Sequence, residues 1–187
     1  MISFKEVLKI IWIGLFFNQI LPSSIGGDTI RSYYLYKKNY TLGLSVLSVL
    51  TDRMIGLIAL VIFVLATINL AFDLIADPSA RLGITIIAIG STSGIILFLT
   101  LSTFTKKVIN LRLLKGLTDI SLKCKNMIFS FSPGIRLISI SLLIHILSIL
   151  NITILSFGMG LNIDWLGLII IMPLASLIMV VPISIAG

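Results

Sequence analysis

Long uncharged apolar runs alternate with short polar links along this chain. Four runs have about the 20 residues that a helix needs to cross a bilayer core. They are 54–72, 82–101, 137–157 and 165–186. None contains Asp, Glu, Lys or Arg, and His145 is their one group able to titrate near neutrality. Each is predicted to be a transmembrane helix. A fifth apolar stretch, 7–21, has an uncharged part that begins only at Ile10 and ends before Pro22. It is read as a short span or a re-entrant element. Pro22 stops a helix, and the Ser- and Gly-rich residues after it suit a break. Irregular backbone at membrane depth must be buried in protein or line a wet cavity. Pro173 and Pro182 are expected to interrupt the last run, and residues 182–187 repeat the Pro–small–Gly character of 22–27. The fold class is all-α: a polytopic transmembrane helical bundle with broken or re-entrant helices, forming a single domain over 1–187.

Composition sharpens this. Hydrophobic residues make up 58% of the 187 and charged ones 11%, against about 25% charged in ordinary soluble domains. That excludes a soluble globular enzyme and a disordered chain. The net charge of +7 would suggest nucleic acid in a soluble protein. Here the basic residues segregate by link instead. Links 22–53 and 102–136 carry eleven of them, and link 73–81 carries Arg81 alone. The positive-inside rule makes the two basic links cytoplasmic. No nucleic-acid partner is expected. If 7–21 is re-entrant, Lys5 and Lys9 join the cytoplasmic side; if it spans, they lie outside. The run after Lys5 and Lys9 has signal-peptide length, but Asn18, Gln19 and Pro22 replace a small-residue cleavage site. The single cysteine, Cys124, permits no internal disulfide.

The basic link 102–136 repeats apolar residues at Val108, Leu111, Leu114, Leu117 and Ile120 among its lysines. It is read either as an amphipathic helix on the inner leaflet or as a solvated loop. Tyr33, Tyr34, Tyr36 and Tyr40, with Trp165, are read as interfacial anchors. Gly90 and Gly94 form a GxxxG pattern suited to close helix packing.

Few polar residues remain near the spans, and they carry the candidate chemistry. Gly26 and Gly27 let the backbone turn tightly and approach a ligand. Asp28 is read as the N-cap of a helix over 29–37, whose free N–H groups suit an anion. Arg31, one turn on, can clamp a phosphate. The plainer alternative is a capped helix with an Asp28–Arg31 pair. Asp52 and Arg53 form a second locus at the mouth of 54–72. Neighbouring helical residues point apart, so cross-pairing is expected, Asp28 with Arg53 or Asp52 with Arg31. Charges at membrane depth suggest function, although Arg53 can also snorkel to the interface. His145 and Asn151, with Asn18, are candidates for a polar pore or relay; a buried structural histidine is the plainer reading. One histidine cannot make a metal site, and no metal or cofactor is expected. Pro22, Pro173 and Pro182 are candidate hinges.

The ordered set of Asn18, Leu21-Pro22-Ser23, Gly26-Gly27-Asp28, Arg31, Asp52-Arg53, Gly56-Leu57, Pro173, Pro182-Ile183-Ser184 and Gly187 resembles the lysylphosphatidylglycerol synthase transmembrane region family. The resemblance covers nearly the whole chain. It implies a flippase-like, multi-pass domain of the cell inner membrane that moves or handles lipid-linked substrates. Family members usually have further helices before the Asn–Pro–Gly-Gly-Asp stretch and continue past the last glycine, so part of a larger protein is expected. Without the soluble aminoacyl-transferase domain, the chain is not expected to attach lysine to a lipid.

Three functions follow as expectations. The first is a non-enzymatic lipid-handling domain. Here Gly26, Gly27, Asp28, Arg31, Asp52 and Arg53 bind a membrane phospholipid or polyprenyl-linked lipid. The second is a membrane enzyme acting on a polyprenyl phosphate, with Asp28 or Asp52 as general base. The third is an assembly partner, of a transferase or of a second copy.

Overall fold

The computed structural model describes residues 2–21, 25–105, 112–161 and 164–180. Among these residues it has seven helices and no strand. They are α1 (Phe4–Ile20), α2 (Ile25–Lys37), α3 (Leu42–Leu74), α4 (Pro78–Thr105), α5 (Arg112–Ile128), α6 (Phe131–Gly158) and α7 (Trp165–Val180). Three of them, α3, α4 and α6, are long and apolar enough to cross a membrane. The chain divides into two compact units, one ending at Arg53 and the other starting at Met54, so α3 belongs to both.

Local chemistry sets the helix ends. Ser3 and Glu6 form a capping box at the start of α1. Thr41 accepts the Leu44 N–H at 3.3 Å at the start of α3. Asp77 accepts from Ser79 (3.0 Å) before α4, whose first residue is Pro78; proline suits that place because it has no N–H to satisfy. Asp164 accepts from Leu166 and Gly167 ahead of α7. Two turns need a left-handed residue. Asn39 (φ 67°) follows α2 and Gly160 (φ 70°) follows α6, and Asn and Gly are the residues that enter that region at least cost.

In the first unit α1 and α2 are antiparallel. Lys38, just past α2, donates to Glu6 at the start of α1. At the opposite end Asn18 Oδ1 accepts the Gly27 N–H at 2.8 Å. The link 38–41 then turns the chain into α3. The face of α1 away from this contact is apolar and exposed at Phe4, Leu8, Trp12, Phe16 and Ile20, a four-residue repeat that keeps one side of a helix.

In the second unit α3 is the most buried of the three spans. Ile58, Ala59, Leu60 and Val61 are all buried, one turn packed on every side, while Ile62 and Leu65 beyond it are exposed. Its partners in the core are Ala88 and Ile95 of α4 and Leu177 of α7. Helices α4 and α6 instead show most of their apolar side chains outward; only 6% of the α6 span is buried, against 39% of α3. Lipid rewards such surface as well as protein does, so helix association rests on close packing and interhelical hydrogen bonds. Hydroxyls within the spans bond back to their own helix, as Thr67 to Phe63 O and Ser176 to Met172 O, which satisfies them without water.

Several expectations change. The first span is part of a helix that begins at Leu42, well before Met54. Its 33 residues are about 50 Å long, more than the about 30 Å of a bilayer core. Helix α7 contains Pro173 and runs on past it, so the expected interruption there is not a break. Pro22 and Pro182 lie outside the described residues. The link 102–136 contains a true helix, α5, packed against α4 and α6; Ser121 on it is fully buried and donates to Phe98 O at 2.6 Å. Gly90 and Gly94 bring no helix close, since a Cβ on either would meet nothing within 4 Å.

Candidate functional site

The charged residues singled out in the sequence meet in the first unit. Arg53 donates from Nε and Nη2 to Asp28, both at 2.8 Å, in a two-pronged pair. Arg31 Nη2 donates to Asp52 at 3.0 Å. Arg31 Nη1 also stands 3.7 Å from Asp28. Both expected cross-pairs therefore form, and the local Asp28–Arg31 pair is present as the longest link. Two cations and two anions leave the cluster with no net charge. Its inner half is Asp28 and Arg31, with side chains 22% and 19% exposed; Arg53 and Asp52 are the open half at 50% and 62%.

Helix geometry explains who meets whom. Asp28 and Arg31 lie one turn apart on α2, so they share a face. Asp52 and Arg53 are neighbours on α3 and point apart, so each reaches a different partner. The start of α2 differs from the sequence reading. The helix begins at Ile25, which places Gly26 and Gly27 inside it and makes Asp28 a first-turn acid, not the cap. An acid there is still favoured by the helix dipole. The Gly27 N–H is already taken by Asn18, so that donor is not open to an anion.

Glycine makes the contact close. A Cβ on Gly27 would lie 2.3 Å from both Gly14 O and Asn18 Oδ1. A Cβ on Gly14 would lie 2.5 Å from Arg31 Cγ. Arg31 thus crosses α1 where α1 has no side chain, and that seats its guanidinium between Asp28 and Asp52. Gly14 was not legible as a site residue. Its signal was spacing: Gly14 and Asn18 are four apart on α1, as Gly27 and Arg31 are on α2. Glu6 and Lys38 were missed as well. Lys38, by donating to it, holds the Glu6 carboxyl below its ordinary value of 4.5.

His145 and Asn151 belong to the second unit. His145 Nε2 is 3.3 Å from Gly56 O, a bridge from α6 to α3. Asn151 is on the exposed side of α6; six residues from His145, it lies on another face. Tyr33, Tyr36 and Tyr40 are exposed, and Tyr33 meets Tyr34 edge-on at 5.9 Å. Among the described residues no three His, Cys, Asp or Glu side chains are placed to hold a metal.

Chemically, the cluster is a matched set of guanidinium and carboxylate groups beside the start of the uncharged run 54–72. A guanidinium fork that fits a carboxylate also fits a phosphate. A ligand phosphate would exchange with an aspartate, and a ligand cation would take up the aspartate released.

The fold and this site define a multi-pass α-helical membrane protein with a compensated charge cluster at the edge of a span. The chain belongs to the lysylphosphatidylglycerol synthase TM region family, whose model matches residues 1–187. Nothing among the curated proteins or the solved structures matches it.

Proposed function

We propose that this chain is a flippase-like, lipid-handling domain whose headgroup site is the cluster Asp28, Arg31, Asp52 and Arg53, seated by the close contact of Gly27 with α1. The observation that carries this reading is the double pairing of Asp28 with Arg53 and Arg31 with Asp52. Charges beside a membrane span are costly, and four that cancel form a polar site at low cost. The lipid phosphate replaces a carboxylate on Arg31 or Arg53, and the carboxylate it displaces meets any cationic part of the headgroup. The substrate is a membrane phospholipid or a polyprenyl-linked lipid, and no nucleic acid is involved. The protein resides in the cell inner membrane with links 22–53 and 102–136 facing the cytoplasm, by the bias of basic residues. Lys5 and Lys9 belong to the same side, because antiparallel α1 and α2 bring the chain back to where it started. A partner transferase, or a second copy, supplies or receives the lipid.

Proteoliposomes with labelled phospholipid test the reading. Arg31→Ala together with Arg53→Ala should abolish translocation. A charge swap, Asp28→Arg with Arg53→Asp, preserves a pair while moving the cation to α2. It should keep the fold and still lose most transport. Transport at the original rate in either variant would remove the cluster from the mechanism.

A further inference from the structure

A second site lies in the other unit, and it does not depend on the reading of the four-charge cluster. Leu65 and Ile68 of α3 and Thr85, Ala88, Ile89, Thr92, Ser93 and Ile96 of α4 line a groove of about 380 Å³. Its wall is hydrocarbon in spite of three hydroxyls. Thr85 donates to Arg81 O (2.8 Å), Thr92 to Ala88 O (2.7 Å) and Ser93 to Gly90 O (3.0 Å). Each shows its methyl or methylene side and offers no spare proton to a polar partner.

Length and charge identify the occupant. Thr85 to Ile96 is about 17 Å along a helix, close to half of the about 30 Å bilayer core. A groove of one leaflet's depth fits an acyl chain. Arg81 continues the same stripe, since 81, 85, 88, 92 and 96 recur at helical spacing. Its Nε donates to Ile75 O at 2.6 Å, which holds the guanidinium over the α3–α4 link. Among the described residues no carboxylate bridges Arg81. Arg81 is also the single basic residue of link 73–81, where Asp73 and Asp77 are the acids. Asp77 is one turn from Arg81, whose N–H it accepts through its backbone oxygen at 3.1 Å. A purely anionic headgroup would meet two acids for one base, whereas a zwitterionic one brings an ammonium for one of those acids.

We propose that this groove with Arg81 binds one zwitterionic, amine-bearing phospholipid. Its acyl chain lies against α4, its phosphate on Arg81 and its ammonium beside Asp77.

The test is lipid retention. The full chain is placed in nanodiscs of equal phosphatidylethanolamine and phosphatidylglycerol, and native mass spectrometry counts the lipids kept on release. One phosphatidylethanolamine per chain should be retained, enriched about tenfold over the bulk ratio, as one charge-assisted contact allows. Arg81→Gln should lower retention of the bound lipid and Arg81→Lys should keep part of it, whereas Asp77→Asn, which keeps the cap on Ser79, should remove the enrichment. Ser93→Phe, which fills the groove from an exposed position, should remove the bound lipid while helix content by circular dichroism is unchanged. Retention at the bulk ratio, no response to Arg81→Gln, or a second copy of the chain in place of the lipid would each overturn the proposal.

Discussion

Arg53 holds Asp28 with two parallel hydrogen bonds of 2.8 Å, across 25 residues of sequence and from one helix to another. This contact ties α2 to the start of the long span in α3. Asp28→Asn keeps the shape but removes the charge, and it leaves Arg53 half exposed and able to find water. We expect a loss of about 1–2 kcal/mol, modest because the pair is partly solvated. In a thermal melt in detergent this is about 2–8 °C. An unchanged melting temperature would show that the pair does not help hold the unit together.

The glycines at the α1–α2 crossing should differ in sensitivity. In Gly27→Ala the new methyl meets the Gly14 carbonyl, which is backbone and cannot move alone. In Gly14→Ala it meets the stem of Arg31, a side chain with other rotamers. Overpacking costs about 1–3 kcal/mol, so Gly27→Ala should fall at the upper end and Gly14→Ala at the lower. Gly14→Ala should nonetheless impair lipid translocation, because it displaces Arg31. Equal stability losses would argue against this assignment.

The Glu6–Lys38 contact should respond to acid. Lys38 lowers the Glu6 pKa from 4.5. A depressed acid contributes stability above its unfolded value, and that contribution is lost as pH falls through the folded value. The distance between labels at the start of α1 and the end of α2 should therefore hold at neutral pH and grow only as pH falls below the ordinary Glu value of 4.5. Glu6→Gln should remove this dependence, and high salt should weaken the wild-type contact.

His145 joins α6 to α3 through the Gly56 carbonyl. His145→Leu should cost about 1 kcal/mol, the usual net worth of one hydrogen bond, read as a lower melting temperature. Translocation per folded molecule should change little. A much larger transport defect would place the imidazole in a proton or headgroup path.

The sequence by itself determined the class of this protein. Spanning a bilayer demands about 20 uncharged residues in a row, a property of local composition that needs no fold to be visible. It also narrowed the charge pairing to a few options, because Asp52 and Arg53, as helix neighbours pointing apart, do not satisfy each other. Only the tertiary structure decided how those options combine. Asp28 can reach Arg31 one turn away or Arg53 on another helix, and the choice depends on how the 38–41 turn lays α3 beside α2. Gly14 acquires its role only where Arg31 crosses it, and its four-residue spacing to Asn18 gained meaning only against the same spacing of Gly27 and Arg31 on α2. The greater burial of α3 and the exposure of α6 were equally hidden. Both are uncharged and apolar, and lipid and protein interior select the same residues, so hydropathy cannot tell the central helix from a peripheral one.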